Sequence, residues 1–329
     1  MSGQHRDQVT DAVKALVVRS RHRFAWLGES SPALPRGVSS LLPEASARSL
    51  LLRAMRTRLY DSFYTSGGVA PIDASHGEEG NLPDTVLVSA LTAANSGTGS
   101  WERGWTLEHA FGEDLLVSRN GVTVLARRAQ CRMYDGEAEL SVVLPSELPA
   151  LSPGFFTVVG DVNLDPRSDD LVGRLYFNVS SEGAAGLVGA MTSILNGARV
   201  PFRLKIADNS AGFRRCDAAV LYLHAADLRR RRLLRQGVDA CARNLRSRTP
   251  VFTKPLAPGV GLAEERGDAP ESFGMRRCRI LAEGILAGHE QRIRKLDERV
   301  RVVEQHFADA GVDLEAPYLE TGSADGYSL

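Results

Sequence analysis

Gly173-Arg-Leu-Tyr-Phe-Asn-Val179, Pro201-Phe-Arg-Leu-Lys-Ile-Ala207 and Ala218-Ala-Val-Leu-Tyr-Leu-His224 are short apolar runs, and a small-residue stretch from Gly183 to Leu195 separates the first two. Each run is rich in aliphatic and aromatic residues, which predicts three strands, while the intervening stretch has helical length and spacing. Strands and helices in this mixture predict an α+β fold in which a mixed sheet is layered with helices. Side chains alternate along a strand, so Arg174, Tyr176 and Asn178 share one face, as do Arg203 with Lys205 and Tyr222 with His224. Polar side chains on an internal strand are costly unless something polar lies over them. The stretch that decides the fold therefore also carries the strongest functional signal.

Toward the N-terminus, Val9, Val13, Leu16, Val17 and Trp26 recur at near-helical spacing over residues 8–27. Leu50, Leu51, Met55, Leu59 and Phe63 do the same over 44–65, which predicts a helical unit spanning 1–83. Ser66-Gly67-Gly68 closes its last helix, and a polar loop runs on to about Pro83. Residues 84–150 read as a small β-rich subdomain, with a hairpin turning at Asn120-Gly121 and a further strand over 138–144. Within it Asn95-Ser-Gly-Thr-Gly-Ser-Trp-Glu-Arg-Gly-Trp105 reads as a tight loop pinned by two tryptophans, since it lacks the Lys-Ser/Thr of a phosphate-binding loop. Residues 151–329 form the α+β domain. It contains a helix over about 226–246 and ends in one long helix over about 275–310, whose apolar seam is Leu286, Ile293, Leu296, Val300, Val303 and Phe307.

The 329 residues carry 40 basic and 40 acidic side chains. A chain without net charge is a poor coat for nucleic acid or an anionic membrane, both of which need a broad cationic field. No apolar run reaches membrane-span length and the first residues are polar, so the expectation is a cytoplasmic protein. Cys131, Cys216, Cys241 and Cys278 form no C-x-x-C pair, and the seven histidines form no ligand motif, so neither disulfides nor a metal or other cofactor are expected.

Of the 40 basic residues 36 are arginine, leaving Lys14, Lys205, Lys254 and Lys295. A buried ammonium can lose its proton and act as a base; a guanidinium cannot. Lys14 and Lys295 lie in amphipathic stretches, whereas Lys205 and Lys254 sit in apolar contexts. Arg174, Asn178, Lys205, Arg214, Arg215, Tyr222, His224, Lys254 and Arg277, the last at the opening of the final helix, are candidates for binding a dianionic phosphate. Few acidic residues lie between Gly173 and Arg215 to neutralise them. The four arginines at 229–232 read as a solvated helix face or as a surface for a peptide or nucleic acid.

Several of these stretches carry a resemblance: RLYFNV at 174–179, VPFRLKI at 200–206, FRRCDAAVLYL at 213–223, TPVFTKPLAPGVGLAE at 249–264, ESFGMRRCRILAEG at 271–284 and APYL at 316–319. With the glycine-rich segment at 95–105, they resemble the HopA-type effector family, whose bacterial biosynthetic members are lyase subunits of class V lanthipeptide and thioamitide pathways. The similarity covers most of residues 90–320. The order of residues is also similar to that of bacterial phosphothreonine lyases, which place Lys-x-His on one strand, a basic lysine on the next, then an arginine, a tyrosine and a distant second arginine.

This chain supplies Arg174-Leu175-Tyr176, then Lys205, Arg214 or Arg215, Tyr222 and Arg277. Tyr176 stands where those enzymes carry their histidine acid, and His224 is a second candidate for that role. What the resemblance implies is a metal- and cofactor-independent phospho-Ser/Thr lyase. Its substrate would be a precursor peptide phosphorylated by a partner kinase, with a cyclase as a further partner, and with neither nucleic acid nor membrane. The alternative is a non-catalytic adaptor that binds the precursor or the kinase.

Overall fold

The computed structural model describes residues 3–32, 41–72, 82–134, 139–149, 151–164, 170–267 and 269–329. Its centre is a six-stranded antiparallel sheet. The strands are β9 (Phe155–Val159), β10 (Leu171–Phe177), β11 (Arg203–Ala207), β12 (Ala219–His224), β13 (Lys254–Ala257) and β14 (Val260–Arg266), in the order β13-β14-β10-β12-β11-β9. The three strands read from sequence thus sit side by side in the interior. The neighbouring β13 and β14 form a hairpin across Pro258-Gly259, where Gly259 has φ +72°.

Leu175, Leu204, Leu221 and Leu262 align across four strands and form one buried face. Helices α4 (Ala184–Gly197) and α5 (Arg231–Cys241) pack on each other where Gly237 meets Met191, and Leu228, in the turn before α5, lies over Gly173. The predicted helix over 226–246 is therefore shorter, with 3-10 turns at Ala225–Arg229 and Ala242–Asn244 flanking α5.

The N-terminal segment departs from the helical expectation. Helix α1 (Gln4–Ala15) gives way to β1 (Leu16–Ser20), β2 (Arg23–Trp26) and β3 (Glu29–Ser30), a small antiparallel sheet. The β-branched pair Val17-Val18 favours the strand, and alternation buries Leu16 and Val18 while Arg19 faces water. Helix α2 (Glu44–Leu59) follows the predicted pattern but ends in a π-helical turn, Tyr60–Tyr64, before Gly67 and Gly68, both at positive φ, stop it. Of the loop that follows, residues 73–81 lie outside the described residues. A helix that sequence reading missed, α3 (Thr85–Ala94), begins at Asp84, whose carboxylate accepts from the amides of Val86 and Leu87.

The second sheet contains β4 (Ser100–Phe111), β5 (Asp114–Arg119), β6 (Val122–Arg127), β7 (Cys131–Met133) and β8 (Glu139–Leu144) around its own core of Trp105, Leu115, Val117, Ala126, Leu140 and Val142. The hairpin forms at Asn120-Gly121, both at positive φ. The tryptophans of the supposed loop are instead strand residues, one buried (Trp105) and one under the Arg132 guanidinium (Trp101). Only the residues before β4 form a loop, in which Gly99 is required because a Cβ there would lie 2.3 Å from the Leu144 carbonyl oxygen.

The predicted C-terminal helix is two helices, α6 (Phe273–Glu290) and α7 (Leu296–Asp309), folded against each other. The break has no glycine or proline: Arg292 takes φ +58°, and the Ile293 amide bonds back to the Gly288 carbonyl at 3.0 Å. The apolar seam is thus an intramolecular contact, closest where Gly284 meets Val303. No helix among the described residues is long and apolar enough to cross a membrane.

Tyr64 and α6 meet the sheet at Tyr176, with ring centroids 6.5 Å apart for both Tyr64–Tyr176 and Tyr176–Phe273. A Cβ on Gly274 would fall 2.4 to 2.8 Å from the Tyr64 ring. Gly274→Ala is expected to lower stability by about 1–3 kcal/mol through overpacking. A urea midpoint unchanged from the parent would show that the ring can move aside.

Candidate functional site

Antiparallel register assembles the site. Arg174 on β10 lies opposite Tyr222 on β12, and Tyr222 lies opposite Arg203 on β11. One alternation further, Tyr176 aligns with Val220, Lys205 and Thr157. Directly opposed residues share a face, so Arg174, Tyr176, Arg203, Lys205 and Tyr222 occupy the same side of the sheet. The Tyr222 ring lies between two cations, with the Arg174 guanidinium carbon 5.0 Å and the Lys205 Nζ 5.8 Å from its centroid.

Lys205 is half-buried and donates to the Ser152 hydroxyl at 2.7 Å; among the described residues no carboxylate takes its ammonium. Burial, together with the Arg174 and Arg203 charges, pushes its pKa below the ordinary lysine value. Burial holds the Tyr176 phenol above its usual value, so it stays protonated. Arg174 is ion-paired with Glu265 on β14 and stays fixed over the sheet.

Four donors here are buried without a hydrogen-bond partner, Tyr176 Oη, Thr157 Oγ1, Arg174 Nε and Arg203 Nε, as are Arg277 Nη1 and one acceptor, Glu265 Oε1. Buried donors are normally satisfied, so four on one face fit an acceptor-rich guest such as a phosphate.

The remaining sequence candidates lie elsewhere or are occupied. Arg215 makes two 2.8 Å bonds to Asp217 and a third, at 3.1 Å, to the Tyr60 hydroxyl, so its Nε and Nη2 are both engaged, whereas Arg174 keeps its Nε free of its ion pair. Arg214 is exposed on the 3-10 turn Gly212–Arg214. Asn178 lies beyond the end of β10 and its amide donates to the Arg248 carbonyl at 2.9 Å, which makes it a loop latch. Lys254 is on the edge strand, opposite Leu262 on the other alternation, and is held by Asp325 and the Tyr327 carbonyl.

Arg277 approaches Tyr176 from α6 but is fully buried, and it donates to the Pro317 carbonyl at 2.9 Å and the Leu319 carbonyl at 3.4 Å. Burial lowers its pKa to about 10. His224 ends β12 opposite Val172, on the face of Tyr222. Sequence reasoning did not nominate Arg203, Ser152, Thr157 or Glu265. For Arg203 the signal was present in its alternation with Lys205; the others depend on partners distant in sequence.

Comparison with known proteins agrees with this core. Residues 146–319, just over half the chain and including every strand of the central sheet, match the HopA1 effector protein family. The chain belongs to that family. The HopA1 fold is also shared along nearly the whole length with two solved structures. The effector protein from Pseudomonas syringae pv. tomato strain DC3000 matches at TM-score 0.50 and 16% identity over 97% of both chains. That from Pseudomonas syringae pv. syringae strain 61 matches at TM-score 0.51 and 15% identity, over 98% of this chain and 99% of the other. No curated protein matches the chain.

Proposed function

We propose that this HopA1-family protein is a phospho-Ser/Thr lyase. In this reading it eliminates phosphate from a ribosomal precursor peptide, phosphorylated by a partner kinase in the cytoplasm, and leaves dehydroalanine or dehydrobutyrine for a cyclase. The carrying observation is Lys205: a half-buried amine with no acid partner among the described residues, on a sheet face it shares with Arg174, Arg203 and Tyr222.

The chemistry follows from these roles. Arg174 and Arg203, with the Tyr222 hydroxyl, bind the phosphate dianion and stabilise the charge that grows on it as the bond to Cβ lengthens. Lys205, as the neutral amine, removes the Cα proton. The C–H electron pair becomes the Cα=Cβ bond, the Cβ–O bond breaks, and phosphate leaves with the bond electrons. Tyr176 supplies a proton to the departing oxygen. A base, an anion clamp and an acid complete the balance, so the reaction asks for no metal or redox group.

The sign of the pH dependence follows from the cations around Lys205. Only the neutral amine is active, so kcat/KM should rise with pH through a Lys205 pKa below the usual 10.5. Arg203→Ala removes a positive neighbour, so the acidic limb should move to higher pH as the maximal rate falls. Phosphate release measured across pH tests this. A limb unmoved by Arg203→Ala would separate Lys205 from the proton transfer.

A further inference from the structure

Eight arginines fall between residues 229 and 248 (Arg229, Arg230, Arg231, Arg232, Arg235, Arg243, Arg246 and Arg248), and all are exposed. Between residues 225 and 253 the only acids are Asp227 and Asp239. Asp227 takes Arg230 at 2.7 Å, while Arg231 donates to the Gly326 carbonyl. Arg229, Arg232, Arg235 and Arg243 meet no carboxylate among the described residues.

Other arginines of the chain do carry acid partners. Arg48, Arg56, Arg276 and Arg279 are each bonded to a glutamate. In a chain of 40 basic and 40 acidic residues, α5 and its flanks set eight exposed arginines against two acids. The placement is also unfavourable for the helix itself: Arg230, Arg231 and Arg232 crowd the positive end of α5, whose first turn holds no acid and no side-chain cap. Local sequence choices that oppose their own element concentrate where a surface serves another purpose.

The band starts at the end of a site strand and then passes to the other side of the sheet, where Leu228 lies over Gly173 on the face away from Arg174. Its first turn, Ala225–Arg229, follows His224 directly, and His224 is two residues beyond Tyr222 on the same strand and face. The 11 residues of α5 extend about 16 Å, a length that about five residues of extended peptide would span.

We propose that α5 and its flanking turns dock an acidic stretch of the peptide whose phosphorylated residue enters the sheet site. This rests on the lyase reading for its choice of a peptide substrate, and it adds a binding surface outside the reaction centre. Two weak contacts on one chain reinforce each other by raising the local concentration of the second. An acidic flank therefore selects the substrate, while the reacting residue is read locally.

The test compares two phosphoserine peptides of Gly-Ser composition, one ending in a run of about five glutamates and one in serines, with the run at either end. Calorimetry with the full-length protein should show the acidic peptide binding at least about tenfold tighter at low salt, the advantage collapsing at high salt. Arg232→Ser/Arg235→Ser/Arg243→Ser should abolish the advantage while leaving affinity and turnover of the serine-flanked peptide unchanged. Equal affinity for both peptides, or parallel losses in the triple variant, would overturn the proposal. So would a single-stranded oligonucleotide that binds the band more tightly than the acidic peptide. Because binding is read apart from elimination, the two ideas fail separately. Acid preference without phosphate release removes the lyase and keeps the dock, and release without acid preference does the reverse.

Discussion

Lys205→Arg is expected to abolish elimination, by at least about a thousandfold, while the variant folds and still binds phosphopeptide. A guanidinium preserves the positive charge near Tyr222, so the field that holds the phosphate survives; what it lacks is an accessible neutral form. In the parent, burial and the Arg174 and Arg203 charges make that neutral form easier to reach. General-base catalysis contributes on the order of 10²–10⁴-fold, which sets the expected size of the loss. Single-turnover phosphate release beside a calorimetric binding curve reads both quantities. Full turnover in the variant would remove Lys205 from the proton transfer, and since Lys254 is tied to Asp325, no second lysine among the candidates could replace it.

Arg277→Met is expected to act on stability. The Arg277 guanidinium is fully buried and is committed to the Pro317 and Leu319 carbonyls, with Glu320 3.8 Å away. Methionine fills much of the volume but leaves two carbonyls without their donor. Each unsatisfied buried group costs about 1–3 kcal/mol, so a loss of about 3 kcal/mol is expected. Glu320 keeps Arg276 at 2.9 Å and is not stranded. In the fraction that remains folded, preference for phosphorylated over unphosphorylated peptide should persist. A selective loss of phosphopeptide affinity without a lower denaturation midpoint would return Arg277 to the phosphate site.

What the sequence disclosed, and what it concealed, follows the range of the interactions involved. The interior strands around Leu175, Leu204 and Leu221 were legible because alternation and length are local properties. The hairpin at Asn120-Gly121 was legible because its turn needs residues that accept positive φ. The strand β1 was hidden by a spacing, Val13, Leu16, Val17, that suits helix and strand alike. The interruption between α6 and α7 was hidden because an ordinary residue, Arg292, adopts the left-handed conformation. Pro258-Gly259 was a turn signal left unread, and with it the strand that supplies Glu265 to Arg174.

For the site, alternation told which residues share a face on each strand but not the register between strands. That register places Arg174 and Arg203 on either side of Tyr222. Nor could it tell which arginines are already engaged. Arg215 finds its acid, Asp217, only two residues away, whereas the partners of Arg277 lie 40 and 42 residues further on.

The central claim is elimination at the phosphorylated residue, and the mass of the product tests it most directly. Incubated with a phosphoserine peptide, the protein should release phosphate and leave a product lighter than the unphosphorylated peptide by one water, able to add a thiol at the new double bond. A product with the mass of the unphosphorylated peptide would mean hydrolysis. A bound but unchanged phosphopeptide would contradict the lyase and identify the sheet face as the phosphate-reading surface of an adaptor.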